Sequence, residues 1–285
     1  LYHADPAQWT PERISVHPAA TLVISAGGPG ELSGGQVGTL LKNLTAAVND
    51  NGLMARSTIC LDTSNAKESI TVSADIMDSK GPGGGAFLIK KVGAGALRLS
   101  GNSTHTGQTI LEGGTLIVSS LNSFTEGSRK ASSSLGAPMD IEVGEIVIGE
   151  EGKDGDCALV YTGAGETTDR VMNLAGKKSS FTLDQSGRGL LKLTSDFVIS
   201  GYGHDKTVAL TGSTGGSGEI AGEIANPYDR AGKAVTALTK SGTGTWTLSG
   251  TNTYTGPTIV NGGTLSLANA GSLGEATEVT IASGA

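Results

Sequence analysis

The stretch TKSGTGTWTLSGTNTYTGPTIVNGGTLSL, Thr239–Leu267, is written nearly twice in this chain. KKVGAGALRLSGNSTHTGQTILEGGTLIV, Lys90–Val118, lies on it without a gap at an offset of 149 residues. From Lys91 against Lys240 to Val118 against Leu267, 15 of 28 positions are identical. The likeness reaches further: Thr58, Leu61 and Ser64 answer Thr207, Leu210 and Ser213 at the same offset. SSLGAP (Ser133–Pro138) answers GSLGEA (Gly271–Ala276) at an offset of 138, so the first copy carries 11 extra residues. They are placed in a polar surface loop over 122–133. The 285 residues are thus read as a single domain made of nearly two copies of a unit of 149 residues.

Composition narrows what such a unit can be. Gly is 45 of 285, aromatics are 4% and charged residues 16%. Apolar residues come as short Val, Ile and Leu runs between Gly, Thr and Ser, with Gly, Asn, Asp or Ser at intervals of about 8–12 residues, which spells strand and turn. The net charge is −7 and no basic run exceeds two residues, as at Lys90-Lys91, so a nucleic-acid partner is not expected. No apolar run approaches the ~20 residues of a membrane helix, so membrane insertion by this segment is not expected. The chain opens without Met or a signal peptide and is read as a mature product or an excised piece.

Helical periodicity is confined to GTLLKNLTAAV, where Leu40, Leu41, Leu44 and Val48 predict at most one short helix over residues 38–48. Self-similar strands with little helix point to a solenoid, a sandwich or a propeller. No propeller period of ~40–45 residues is present. The expected fold is all-β, a right-handed parallel β-helix. Stacked coils put Leu, Ile and Val in inward columns, Thr and Ser on outer faces and Gly at tight corners. At roughly 25 residues per coil, within the solenoid range, there would be about 11 rungs and, at ~4.8 Å each, a rod of about 50 Å. Residues 1–20, with Pro6, Pro11 and Pro18, are read as an N-terminal cap or a contact arm.

The repeated phrase resembles the autotransporter-associated β-strand repeat, or passenger-associated transport repeat, of exported bacterial proteins. The residues that carry the resemblance are Lys240, Gly242, Gly244, Leu248, Ser249, Gly250, Asn252, Tyr254 and Gly256, and the closing run Gly262, Gly263, Thr264 and Leu265. The earlier copy keeps Lys91, Gly93, Gly95, Gly101, Gly107, Gly113 and Gly114 but has Ser103 and His105 where Asn252 and Tyr254 stand. All of these are expected to serve the structure of the repeat. The resemblance implies a β-helix outside the cell or on its surface.

Chemistry leaves few marks. GYGHDK (Gly201–Lys206) comes near the Gly-His-Gly of pectin-type hydrolases, but Asp205 stands in place of the second Gly. Asp184 and Asp196 are the nearest strand-borne carboxylates for glycoside hydrolysis, and nothing pairs them. Glu150, Glu151, Asp154 and Asp156 gather in one turn, weak candidates for a cation, though the order lacks a calcium-loop pattern. His105 answers Tyr254, which suits an aromatic packing slot better than a catalytic base. Cys60 and Cys157 are expected to be free thiols, Cys60 as a small core residue. Trp246, Tyr254, Tyr161 and Tyr202 are candidates to stack on sugar rings if exposed, with Trp246 expected to be partly buried.

The leading expectation is therefore a non-enzymatic extracellular structural module, a stalk or fibre segment supporting adhesion. It needs no cofactor, and it associates head-to-tail with itself through open strand edges. A passenger that binds a surface glycan or a host or matrix ligand, and a polysaccharide lyase or hydrolase, remain as alternatives.

Overall fold

The computed structural model describes residues 5, 8–46, 50–124, 132–275 and 278–285. Residues 1–4 and 6–7 of the expected arm, 47–48 of the expected helix, 125–131 of the expected loop and Ala276 lie outside the described residues. The chain divides into two compact units, Leu1–Glu145 and Ile146–Ala285. Among the described residues no helix is long and apolar enough to cross a membrane.

The first unit holds β1 (Ser15–Val16), β2 (Thr21–Ser25), α1 (Gly34–Leu44), β3 (Gly52–Leu53), β4 (Thr58–Asp62) and β5 (Ile70–Val72). It continues with β6 (Leu88–Val92), β7 (Ala96–Leu99), β8 (Thr109–Leu111), β9 (Gly114–Val118) and the single turn α2 (Ile141–Gly144). Strands β2, β4, β6 and β8 pair in parallel, as do β5, β7 and β9. Each strand comes from the next turn of the chain, the arrangement of a parallel β-helix. Alternation puts every second residue inside. Ile24, Leu61, Lys91 and Leu111 stack in one inward column, and Ile59, Ile89 and Thr109 in the next.

The helix begins and ends earlier than its apolar spacing suggested. Ser33 and Gln36 form a capping box, with the Gln36 N–H donating to the Ser33 hydroxyl and the Ser33 N–H to the Gln36 side chain. The two glycines between them hid this start signal. Thr45 ends the helix, its hydroxyl donating to the Leu41 carbonyl. Val37, Leu40, Leu41 and Leu44 are buried, and α1 packs on β5 and β3, covering the edge strand of the β5–β7–β9 sheet. Two stretches rich in apolar residues, DIEVGEIVIG (Asp140–Gly149) and DFVISG (Asp196–Gly201), are not strand throughout. Asp140 accepts the Val143 N–H and folds IEVG into one helical turn. DFVISG runs extended, with Val198 alone bridging to Asn173.

The second unit holds β10 (Ile146–Ile148), β11 (Cys157–Tyr161), β12 (Glu166–Thr168), β13 (Met172–Leu174), β14 (Ser179–Gln185), β15 (Gly189–Leu193) and β16 (Lys206–Gly212). After them come β17 (Gly216–Ile220), β18 (Thr236–Lys240), β19 (Thr245–Leu248), β20 (Thr258–Val260), β21 (Thr264–Leu267) and β22 (Val279–Ile281). One parallel sheet runs β11–β14–β16–β18–β20–β22 and a second β12–β15–β17–β19–β21. Leu159, Leu183, Leu210, Lys240 and Val260 form a column, beside Cys157, Phe181, Val208, Leu238 and Thr258. Each fully buried Leu or Phe contributes about 1.5–3 kcal/mol over an exposed one, so the columns hold the coils in register.

Coil length varies on this constant core. Ile89 pairs with Thr109 and Leu238 with Thr258, each 20 residues on, within the repeated phrase. Thr21 pairs with Thr58 after 37 residues, because α1 lies between them. Lys206 pairs with Thr236 after 30, because a loop carrying Tyr228 lies between them. The excess leaves the strands and goes into corners.

Candidate functional site

The repeated residues build the same corner in both units. Lys91 and Lys240 point into aliphatic columns and are 1% and 0% exposed. The Lys91 ammonium donates to the carbonyls of Val92 (3.0 Å), Gly93 (2.5 Å) and Gly113 (2.8 Å). That of Lys240 donates to Ser241 (2.6 Å), Gly242 (3.3 Å) and Gly262 (2.9 Å). Three donors meet three acceptors, which is what a buried ammonium requires. Burial pushes the Lys240 amine below its ordinary value, while the carbonyl dipoles favour its charged form.

The glycines of the repeat make room for this lysine. Gly242 turns the corner at φ 68° and Gly263 turns the next coil's corner at φ 67°, conformations that favour glycine. A Cβ on Gly263 would stand 2.5 Å from the carbonyl oxygens of both Gly242 and Gly244, and 2.7 Å from the Lys240 ammonium. Gly114 holds the equivalent place in the first unit, where a Cβ would fall 2.4 Å from the Gly93 carbonyl oxygen and 2.7 Å from that of Gly95. The Gly-Gly pairs Gly113-Gly114 and Gly262-Gly263 therefore have divided tasks: the first residue offers its carbonyl to the lysine, and the second lets the coils close. At Gly107 a Cβ would stand 1.8 Å from the Phe87 carbonyl oxygen, and at Gly256 2.4 Å from that of Thr236. Those glycines admit the backbone of the preceding coil.

Where the copies differ, the structure shows what each residue does. The Asn252 side chain accepts the Ile224 N–H (2.7 Å) and donates to the Ser272 carbonyl (2.5 Å). Ser103 accepts the corresponding Ile76 N–H with its hydroxyl (3.1 Å), and its backbone bridges to Ser133. His105 is buried and stacks on Phe87, centroids 6.2 Å apart. Tyr254 fills the matching slot, its hydroxyl 2.8 Å from that of Thr258. Tyr254→Phe is expected to lower unfolding free energy by about 1 kcal/mol, the worth of one buried hydrogen bond, read as a shifted urea midpoint at unchanged slope.

The carboxylates flagged from the sequence, Glu151 excepted, have structural work. Asp154 accepts the Lys178 N–H and Asp156 the Ser180 N–H, one coil further on. Asp196 and Asp205 do the same for Glu223 and Val235. Asp184 accepts the Ser186 hydroxyl. Glu150 pairs with Lys153, and Glu151 is exposed. Among the described residues no group of three or more His, Cys, Asp or Glu side chains converges for a metal. His204 is exposed, and its carbonyl accepts from the Lys206 ammonium.

Cys60 and Cys157 are free and buried. Burial pushes the Cys60 thiol from 9.0 to about 11. Both thiols are expected to resist an alkylating reagent in the native chain and to react together in concentrated guanidinium. Native-state labelling of Cys60 would contradict its burial. Because the folded chain holds this proton more tightly, the thiol's contribution to stability is intact below pH 9 and is lost as pH rises towards 11.

The aromatic candidates separate. Trp246 is wholly buried rather than partly so: its indole donates to the Thr211 carbonyl and lies over Gly218, whose Cβ would fall 2.4 Å from the ring. Tyr161 and Tyr254 are also buried. Tyr202 is 63% exposed and meets Tyr228, 65% exposed, edge to face at 6.2 Å and 87°. The Gly203 N–H donates to the Tyr228 carbonyl, tying the two loops together. Asn226 fixes the base of the second loop through Thr236 and Thr255. With Asp229 and Arg230 the two tyrosines line a shallow open cleft. Tyr202 also borders a neighbouring cleft with Glu151, Lys177 and His204. Sequence reading missed Tyr228, Asp229 and Arg230. The available signal was NPYDRAG (Asn226–Gly232), which stands where the first unit has the featureless KGPGGG (Lys80–Gly85).

Both corners fall inside matches to the passenger-associated-transport-repeat, at residues 89–118 and 238–267. The chain carries two matches to this repeat, which together span 60 of its 285 residues. It is 35% identical over 145 residues to the adhesin BmaC autotransporter of Brucella suis biovar 1 (strain 1330), a match covering 51% of this chain and 4% of that protein. No solved structure matches.

Proposed function

We propose that this chain is a structural passenger segment that holds a recognition surface away from the cell and so supports adhesion. The observation that carries this reading is the recurrence of one corner, Lys91 with its three carbonyls in the first repeat and Lys240 with its three in the second. A device repeated without change belongs to a scaffold, since a reactive centre is normally unique. The engagement of Asp184, Asp196 and Asp205 by neighbouring donors favours a non-catalytic chain. The adhesin label of the relative supports the adhesive role. The test is attachment of beads coated with this chain to cultured mammalian cells. Attachment above that of albumin-coated beads is expected, and equality would overturn the reading.

The proposal includes axial association with a second copy. Leu267, Val279 and Ile281, on the edge strands β21 and β22, are 45%, 48% and 66% exposed and offer unpaired strand to another coil. The β5 edge is covered by α1, so a head-to-tail partner would meet α1 there. Light scattering over a concentration series is expected to show growth in mass. A constant monomer mass would remove self-association from the proposal.

A further inference from the structure

We propose that the cleft between Tyr202 and Tyr228 binds a pyranose sugar bearing a carboxylate, its ring face laid on a tyrosine and its carboxylate on Arg230. The inference rests on the adhesive reading only in needing this surface to be accessible.

Exposure is the first ground. Large aromatic side chains are normally buried, and this unit buries Trp246, Tyr161 and Tyr254 while leaving Tyr202 and Tyr228 at 63% and 65% exposure and touching each other. The pair is also held in place. The Gly203 N–H to Tyr228 carbonyl bond and the Asn226 anchors fix both loops, so little ordering entropy is lost on binding.

The ring geometry selects the ligand's shape. Two rings at 87° offer one face as a platform and the second ring as a wall. A pyranose presents an apolar face of C–H groups and a rim of hydroxyls, which suits a single platform with polar neighbours. A proline-rich peptide would be gripped in a groove between aromatic rings, and this cleft is shallow and open.

Charge selects the substituent. The Asp229 carboxylate is taken up by the N–H groups of Ala231 (3.0 Å), Lys233 (2.8 Å) and Ala234 (3.2 Å), which hold it below the usual carboxylate range. Arg230 is exposed and, among the described residues, has neither a hydrogen bond nor an ion pair. The cleft therefore carries one unengaged cation with fork geometry for a carboxylate. The sugar acid is a hexuronate or a sialate, which share this chemistry and differ in source.

The test is saturation-transfer NMR and calorimetry on the whole chain with oligogalacturonate, sialyllactose and neutral lactose. One or both acidic sugars are expected to bind, and the stronger identifies the source. Lactose is expected to bind at least tenfold more weakly. Tyr202→Ala and Arg230→Gln, both at exposed positions, are each expected to cost tenfold or more in Kd at unchanged melting temperature. The Arg230→Gln variant is expected to lose the salt dependence of binding. No transfer from either acidic sugar at millimolar concentration would overturn the proposal. So would binding that survives both substitutions, or lactose binding equally well. If the sugars fail while coated beads still attach, the sugar assignment falls alone; if the beads fail too, the adhesive reading falls with it.

Discussion

Lys240→Met is expected to lower the unfolding free energy of the second unit by about 3 kcal/mol, the cost of leaving buried carbonyls without a donor. Methionine matches the lysine stem in length and keeps the apolar contact with Leu210 and Val260 on either side of the column. What it removes is the ammonium that serves the carbonyls of Ser241, Gly242 and Gly262. Replacing a buried ion pair by apolar residues often costs nothing, because two charges are then spared desolvation. Here the acceptors are neutral backbone and stay behind. Lys91→Met should act in the same direction but more weakly in the first unit, because the Val92 carbonyl also accepts from the Thr63 N–H and hydroxyl. Urea denaturation checks both, and an unchanged midpoint would mean that desolvation of the ammonium already cancels its three bonds.

Trp246 offers a second large effect with an internal control. Trp246→Ala is expected to cost about 3–5 kcal/mol, the range for emptying a buried aromatic site. The finer test is a cycle. In the second unit Trp246 sits beside Gly218, whereas in the first Leu97 sits beside Ile70. One pair is large beside absent, the other medium beside medium, so the two fill comparable space. Trp246→Leu leaves a void above Gly218, and Gly218→Ile alone drives a side chain into the indole. Together they rebuild the pairing of the first unit. The double variant should be more stable than the sum of the single losses allows, by at least about 1 kcal/mol, within the coupling measured for touching residues. Simple additivity would refute the compensation.

This pair also shows what could be read in advance. The parallel coil arrangement was legible because Thr-Ile-Val and Gly-Gly-Thr-Leu alternate with the strand period and recur at a fixed offset. The glycines of that phrase were legible as corners, but not their tasks: that Gly262 feeds the lysine while Gly263 clears space for it follows only from the stacked coils. The place of Trp246 was half legible: alternation gave its direction, but its depth depended on Gly218, a neighbour 28 residues earlier that only the pairing identifies. The helix start at Ser33 was masked by two poor helix formers. The exposed cleft was the least legible part. Tyr202 and Tyr228 lie 26 residues apart and come together only because consecutive coils place their corners side by side. The acidic turn was legible only as a weak cation candidate. Asp154 and Asp156 resemble cation ligands in a row, yet each looks to a different N–H on the next coil.

The lysine corner bears on where such a chain can survive. Its acceptors are peptide carbonyls, which take up no proton at any acidity a cell or its surroundings reach, and a fall in pH favours the ammonium form of its donor. A fold fastened at such points by carboxylate partners would loosen on acidification as those partners neutralised. The Lys240 ammonium is fastened instead to the carbonyls of Ser241, Gly242 and Gly262. The corner thus keeps its grip in an acidified compartment as firmly as in neutral fluid.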